Sequence, residues 1–292
     1  MPKKLILFPG QGSLKIEVIK KMYIDSIEFK RNIDMVSDFA ECNLSHKLQS
    51  GDVDNILTKS YLIFAASLGT FYQYIKPMDL DKAIFLGHSI GEIAALTCAD
   101  GLEILDSIKI IKRRIELSSI PNTGMYVVTN IDSNYVYDIC SELRREGKRV
   151  WVSCDNNDLQ CCIAGDSWAL KCAAQLLETI GAKVIKLQSN LPYHCDILKG
   201  KDKELKAFIE KLKIKPLQHI VISNVFSLPY QSYKEIPNNL GLQLSHPVRW
   251  KQIMDYIESQ AYQESYEMAF SDILTKIASK KLHSWKTVKY CI

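Results

Sequence analysis

The chain has no C-x-x-C pair, no apolar run long enough to span a bilayer, no block of like charge and no repeated or low-complexity segment. Each absence excludes something. Without Cys and His clustered at ligand spacing, no zinc or other metal site is indicated. Nine cysteines is an odd count, and Cys161 adjoins Cys162 in a strand-like stretch. They read as reduced, mostly buried thiols of a cytoplasmic protein, not as a disulfide framework. Lys3 and Lys4 precede a short apolar run, but Pro9-Gly10 stops it well short of a signal-peptide core or a membrane span. Lys and Arg are interleaved with Asp and Glu, and the net charge is only +4, so no nucleic-acid groove is indicated.

What is there is ordinary in bulk and pointed in detail. With 292 residues, 47% hydrophobic and 24% charged, the chain can bury one large core or two smaller ones. The rest is organised around Phe85-Leu86-Gly87-His88-Ser89-Ile90-Gly91-Glu92-Ile93-Ala94-Ala95-Leu96. It reads as a short buried strand, a sharp turn with Ser89 at its apex, and a helix. So tight a reversal leaves no room for Cβ atoms beside the apex, which is why glycine stands on both sides. The apical hydroxyl then projects above a helix N-terminus whose N–H groups are unpaired, the geometry of a nucleophile elbow.

Upstream, Lys4 to Phe8 is an apolar strand that ends at Phe8-Pro9-Gly10-Gln11-Gly12-Ser13, a loop whose backbone comes close to a neighbour or simply turns into a helix. Periodicity predicts helix over 14–40 and again over 54–76, with Leu57, Tyr61, Phe64, Ala65 and Leu68 on one face. Residues 102–119 read as a helix whose apolar face holds Ile104, Ile108, Ile110, Ile111, Ile115 and Leu117, and Arg114 falls inside that face. A buried guanidinium must meet a protein carboxylate or a ligand anion, and spacing alone does not choose between them.

After a linker at Pro121-Asn122-Thr123-Gly124, strands at 125–130, 149–154, 160–164 and 183–187 alternate with helices at 133–146 and 167–180. This βαββαβ order is the ferredoxin-like split motif. We expect it as a small subdomain over 123–189, inserted in a larger α/β unit of 1–122 and 190–292. The chain returns through Ser189-Asn190-Leu191-Pro192-Tyr193-His194-Cys195. A helix over 199–213, a β-like run from His219 to Val225 and further helices close it.

A serine hydroxyl needs a general base within hydrogen-bond reach and N–H donors for the oxyanion it creates. Of six histidines, His194 lies in a loop at a strand exit, where a base reaches over a sheet edge. His88 adjoins Ser89 but points away from the apex, as a packed histidine would. The Ile90 N–H and an N–H of the Gln11 turn are candidates for the oxyanion.

Six segments now stand in order. They are Phe8-Pro9-Gly10-Gln11-Gly12-Ser13, Gly87-His88-Ser89-Ile90-Gly91-Glu92, Arg114, Pro192-Tyr193-His194, Ser223-Asn224-Val225 and Gln243-Leu244-Ser245-His246-Pro247-Val248-Arg249-Trp250. Together they resemble the malonyl-CoA:acyl carrier protein transacylases and the related acyltransferase domains of polyketide synthases, including free-standing, trans-acting ones. The resemblance runs from the first strand to about residue 280. It implies an α/β fold, a large α/β-hydrolase-like subdomain with a short parallel sheet plus the ferredoxin-like insert. It implies a ping-pong transfer of a malonyl or related carboxylated acyl group, through an acyl-Ser89, to the phosphopantetheine thiol of an acidic acyl carrier protein. This would serve fatty-acid or polyketide synthesis, with no cofactor, nucleic acid or membrane involved. His194 would be the base, oriented by a carbonyl at Gln243, and Gln11 and Ile90 would hold the oxyanion. Arg114 would pair with the free carboxylate, with His88, Tyr193, Asn224 and Gln243 as further substrate-binding residues.

Three positions depart from the family pattern. Ile115 replaces the usual glycine after the arginine, and Ala269-Phe270-Ser271-Asp272 replaces a common Gly-Pro-Gly. Tyr193 before the base, with Ile90 after the nucleophile, is the malonyl-type choice. A substituted malonyl unit delivered on a carrier protein is an alternative donor. An editing acyl hydrolase of the same fold is an alternative function, but uncharged acyl chains have no use for a buried arginine. A non-catalytic relic would not keep Ser89, His194, Arg114 and Gln11 together.

Overall fold

The computed structural model describes residues 4–188, 191–260, 262, 264–268, 270–278 and 286–289. Strand β1 (Lys4–Phe8) leads through a turn at Gln11–Ser13 into α1 (Ile16–Asp25), α2 (Ile27–Phe39), α3 (Leu44–Ser50) and α4 (Ile56–Thr70). The single helix expected over 14–40 is two, because Ser26 takes extended backbone and its hydroxyl accepts the Phe29 N–H as the cap of α2. Helix α4 was expected to bury one face. It is buried all round from Tyr61 to Thr70, because α2 covers one side and the helices after the elbow cover the other. Those are α5 (Ile90–Cys98), which follows β2 (Ile84–Gly87), and α6 (Ile104–Ser118).

The split motif follows as β3 (Thr123–Thr129), α7 (Ser133–Arg145), β4 (Val150–Asn157), β5 (Gln160–Asp166), α8 (Ser167–Thr179) and β6 (Lys183–Lys186). Its sheet runs β4-β5-β3-β6, antiparallel throughout. The expected linker is shorter than its composition suggests. Thr123 and Gly124 already pair with Asp166 and Gly165. The expected boundary at Ser189 and Asn190 lies outside the described residues.

The chain continues through α9 (Lys201–Ile209), β7 (Ile220–Val221), α10 (Ile236–Gln243) and α11 (Trp250–Glu258) to β8 (Glu264–Glu267), α12 (Ile273–Ala278) and β9 (Lys286–Lys289). The larger sheet is wholly parallel in the order β7-β2-β1-β8-β9. Only helices were expected after residue 250. The Glu-Ser-Tyr-Glu of β8 carries no apolar run, and it is buried because Glu267 accepts from the Leu274 and Thr275 N–H groups at the start of α12.

The small sheet is stitched to the larger unit along β4. The Asp155 N–H donates to Val248 O at 2.9 Å, and the Val248 N–H donates to Ser153 O at 2.9 Å. Met125, Cys154, Cys162 and Ala164 join the core of the larger unit, while Val136, Cys140, Leu143, Leu170 and Leu177 form a separate core with the sheet's other face. No helix among the described residues is long and apolar enough to cross a membrane, and no cluster of His, Cys, Asp and Glu among them could hold a metal ion.

Candidate active site

The register of β1 with β2 sets Phe8 opposite Gly87. The Gln11 turn and Ser89 therefore leave the same carboxyl edge of adjacent strands, where α/β sheets place their sites. At the apex Ser89 has φ 56° and ψ −115°, a strained backbone that the surroundings must hold. The two glycines are forced by space. A Cβ on Gly87 would lie 2.1 Å from the Glu92 nitrogen, and one on Gly91 would lie 2.1 Å from Phe8 O. Asn224 straps the turn: its Oδ1 accepts the Ser89 N–H at 2.8 Å and its Nδ2 donates to Gly87 O at 2.6 Å.

His194 meets the serine, its Nε2 lying 2.7 Å from Ser89 Oγ. Its Nδ1–H donates to Gln243 O at 2.6 Å, which leaves Nε2 unprotonated and facing the hydroxyl. The backbone is pinned too, with φ 65° and the His194 N–H donating to Leu244 O at 2.9 Å. Burial, and then the Arg114 charge, hold the imidazole well below its ordinary pKa. The ring is therefore neutral, as a base must be before it acts.

Arg114 is 3% exposed. One of its terminal nitrogens donates to Ser89 Oγ at 2.8 Å and reaches His194 Nε2 at 3.2 Å, and its guanidinium lies 4.5 Å from the Tyr193 ring centroid. No carboxylate among the described residues pairs with it, and its Nε has no hydrogen-bond partner there. Of the two partners open to it in the sequence, a protein carboxylate is absent among the described residues. Burial lowers its pKa, against the pull of Tyr193 and Glu92. Such a group is best satisfied by an anion that arrives at Ser89.

The Ile90 N–H opens α5 and, like the Gln11 N–H, has no acceptor among the described residues. The Gln11 side chain donates to Ser60 Oγ of α4 at 2.6 Å, which anchors the turn. His88 turns away from the apex to Asn156 Oδ1 on β4, at 3.0 Å, with Trp250 beside it. It stitches the two sheets. The side chains of Asn224 and Gln243 are spent on the protein: Asn224 on the elbow, and Gln243 on Ser89 O at 3.2 Å and on Glu92. Of the departures, Asp272 bonds to Lys15, just past the Gln11 turn, at 3.0 Å and to Lys276 at 2.8 Å, and these lysines hold its carboxyl down to about 2. Ala269 lies outside the described residues.

Sequence reading missed Glu92 as a site element. It is the one charge in an otherwise apolar helix, which was the available signal, and it is fully buried. Burial drives its carboxyl up to about 7 against hydrogen bonds from Tyr230, Gln243 and Asn224.

The fold and the arrangement about Ser89 are those of an α/β enzyme with its serine on a strand-to-helix elbow. No family model matches the chain. A curated malonyl CoA-acyl carrier protein transacylase of Buchnera aphidicola subsp. Schizaphis graminum is 30% identical over 284 residues, covering 94% of this chain and 91% of that protein. The chain belongs to the malonyl CoA-acyl carrier protein transacylase family. A protein of the same name from Haemophilus influenzae is 29% identical over 87% of this chain and 84% of its own length. FabD from Acinetobacter baumannii superposes with a TM-score of 0.91 at 24% identity, over 98% of this chain and 93% of that one. A malonyl-transacylase solved with its type II polyketide synthase acyl-carrier protein superposes at 0.90, also at 24% identity, over 98% of this chain and 96% of that one. At that identity the two structures speak to the fold.

Proposed function

We propose that the protein moves a malonyl group from coenzyme A to the phosphopantetheine thiol of an acyl carrier protein, for fatty-acid or polyketide synthesis, through an acyl-Ser89. Ser89 Oγ attacks the thioester carbonyl carbon while His194 Nε2 takes its proton. The tetrahedral oxyanion is held by the Gln11 and Ile90 N–H groups. The carbon–sulfur bond breaks, His194 returns the proton to the leaving thiolate, and the malonyl ester of Ser89 remains. The carrier thiol then attacks this ester, gives its proton to His194, and Ser89 regains it as the new thioester departs. We assign Asn224 and Gln243 to positioning the elbow and the base, and the small subdomain to residues 123–189.

The observation that carries this reading is Arg114, a buried guanidinium with no protein carboxylate among the described residues, donating to the nucleophile itself. A planar, bidentate cation beside Ser89 suits an acyl group that ends in a carboxylate. It gives nothing to the uncharged chains an editing hydrolase would clear. The test is intact-protein mass after mixing with malonyl-CoA. One malonyl group should add to the parent protein and none to Ser89→Ala. No adduct from either malonyl-CoA or malonyl-carrier would sink the reading.

A further inference from the structure

Beneath the elbow lies a carboxylate that the transfer chemistry does not use. Glu92 of α5 is met by donors. The Asn224 N–H reaches both oxygens at 3.3 Å, the Tyr230 hydroxyl reaches Oε1 at 2.6 Å, and the Gln243 side-chain amide donates to Oε2. Among the described residues no cation pairs with it directly, and the Arg114 guanidinium acts on it through space.

Two of these donors belong to segments that fix a reacting group. Asn224 holds the turn that leads into Ser89, at Gly87 O and at the Ser89 N–H. Gln243 supplies the carbonyl that takes the His194 Nδ1–H. Tyr230 is tied to β7 through its N–H on Val221 O at 3.0 Å, so the third donor is anchored in the sheet. Glu92 is thus joined at once to the nucleophile's turn and to the base's support.

We propose that Glu92, in its ionised form, is a positioning residue for acyl transfer: by accepting from Asn224, Tyr230 and Gln243 it sets the approach of His194 Nε2 to Ser89 Oγ. This rests on the reading of Ser89 and His194 as nucleophile and base. An ionised carboxylate offers only lone pairs, which suits a ring of donors. A protonated one carries an O–H that, among these three partners, only the Tyr230 hydroxyl can accept, so that contact must reverse or a bond to Asn224 or Gln243 must break. The titratable groups that face Glu92 are Tyr230 and Arg114, while Asn224 and Gln243 do not titrate. Tyr230 is held well above its ordinary range by burial and by Glu92. Only Glu92 changes charge near neutrality. Since His194 is pushed far down, an acid limb near pH 7 belongs to Glu92 and not to the base.

The test measures acylation of Ser89 from pH 5 to 9 in the full chain, with malonyl-CoA and, separately, with p-nitrophenyl acetate. The ester reads the dyad without any carboxylate on the acyl group. Wild type should show an acid limb with a midpoint near 7 for both. Glu92→Gln, isosteric but never charged, should slow the limiting acylation rate roughly 10- to 100-fold with the half-saturating donor concentration little changed, as expected of a displaced reacting pair, and should lose the limb. Tyr230→Phe removes one donor, so the carboxylate is less favoured and the limb should move to higher pH. A purely structural role would not move it. If Glu92→Gln fails to fold by circular dichroism, the Tyr230→Phe limb decides alone. A folded Glu92→Gln with wild-type rate and limb, or a Tyr230→Phe limb that stays in place, overturns the proposal. A wild type loaded by the ester but not by malonyl donors overturns the malonyl reading and leaves this one standing. A Ser89 inert to both overturns both.

Discussion

The two sheets bury their polar groups in different places. In the small antiparallel sheet the Arg149–Asp166 pair stays at the surface, the core beneath its helices is apolar, and the buried polar residues Ser153, Asp155, Asn156 and Asn157 line β4, the strand that meets the larger unit. In the larger parallel sheet, the carboxyl edge hides Glu92, Arg114, His194, Asn224 and Gln243, each almost fully out of water. Buried polar groups cost stability unless every one finds a partner. The larger sheet carries that cost around the proposed site, and the smaller one carries it along β4, at the seam with the larger unit. Substitutions should therefore separate activity from stability according to the sheet they strike.

The largest effect is expected at Ser89→Ala, with transfer falling on the order of 10⁴-fold or more while the melting temperature changes little, since alanine leaves the strained backbone as it is. Gly91→Ala puts a Cβ 2.1 Å from Phe8 O and should cost more than about 4 kcal/mol, measured by denaturant unfolding. Gly147→Ala in the small subdomain, at φ 81° with open space around it, should cost only about 1 kcal/mol and leave malonyl transfer intact. Equal activity losses in the two glycine variants would break the comparison. On the proposed reading, Arg114→Ala removes two charge-assisted hydrogen bonds to the incoming carboxylate, at about 1.5 kcal/mol each. Malonyl loading should drop roughly 10²-fold while acetyl-CoA loading is kept or rises.

Glu92 sharpens the contrast through pH. Its folded pKa, about 7, lies above the ordinary 4.5. Between these values the folded protein keeps a proton that the unfolded chain releases. The stability this group contributes is full below about 4.5 and is lost as pH rises through 7. On the order of 3 kcal/mol is at stake, and Glu92→Gln should flatten the fall in thermal scans at stepped pH. The smallest effect is expected at Arg149→Ala. An exposed pair of this kind is worth less than about 1 kcal/mol, and transfer should not change.

The same contrast explains what could be read in advance. The small sheet draws all its strands from residues 123–186. Strands β4 and β5 are joined by a short hairpin, and the alternation of strands with helices within that one segment was enough to read its order. The larger sheet is assembled from strands far apart in sequence. Strand β8 escaped because burial of Glu267 by hydrogen bonds leaves no hydrophobic signature. At the site, Ser89 stood out by its glycines, His194 by its loop and Arg114 by its place on a wheel. The Glu92 network did not, because Asn224, Tyr230 and Gln243 reach it across 132 to 151 positions, and no spacing encodes that. His88 found Asn156 across the two sheets for the same reason.

Helix α10 ends where the proposed base is held, and that end has an electrical consequence. Gln243 O and Leu244 O, which fix the His194 ring and backbone, are the last carbonyls of its final turn. A helix terminus of this polarity presents about half a negative charge and stabilises a nearby imidazolium by up to about 2 kcal/mol. A carboxylate in that position would raise the resting pKa of His194 and leave part of the enzyme protonated before substrate arrives. The half-charge is too weak for that in a buried site beside Arg114. In the proposed mechanism it still lowers the energy of the cation during the brief interval, twice per turnover, in which the proton is on the ring.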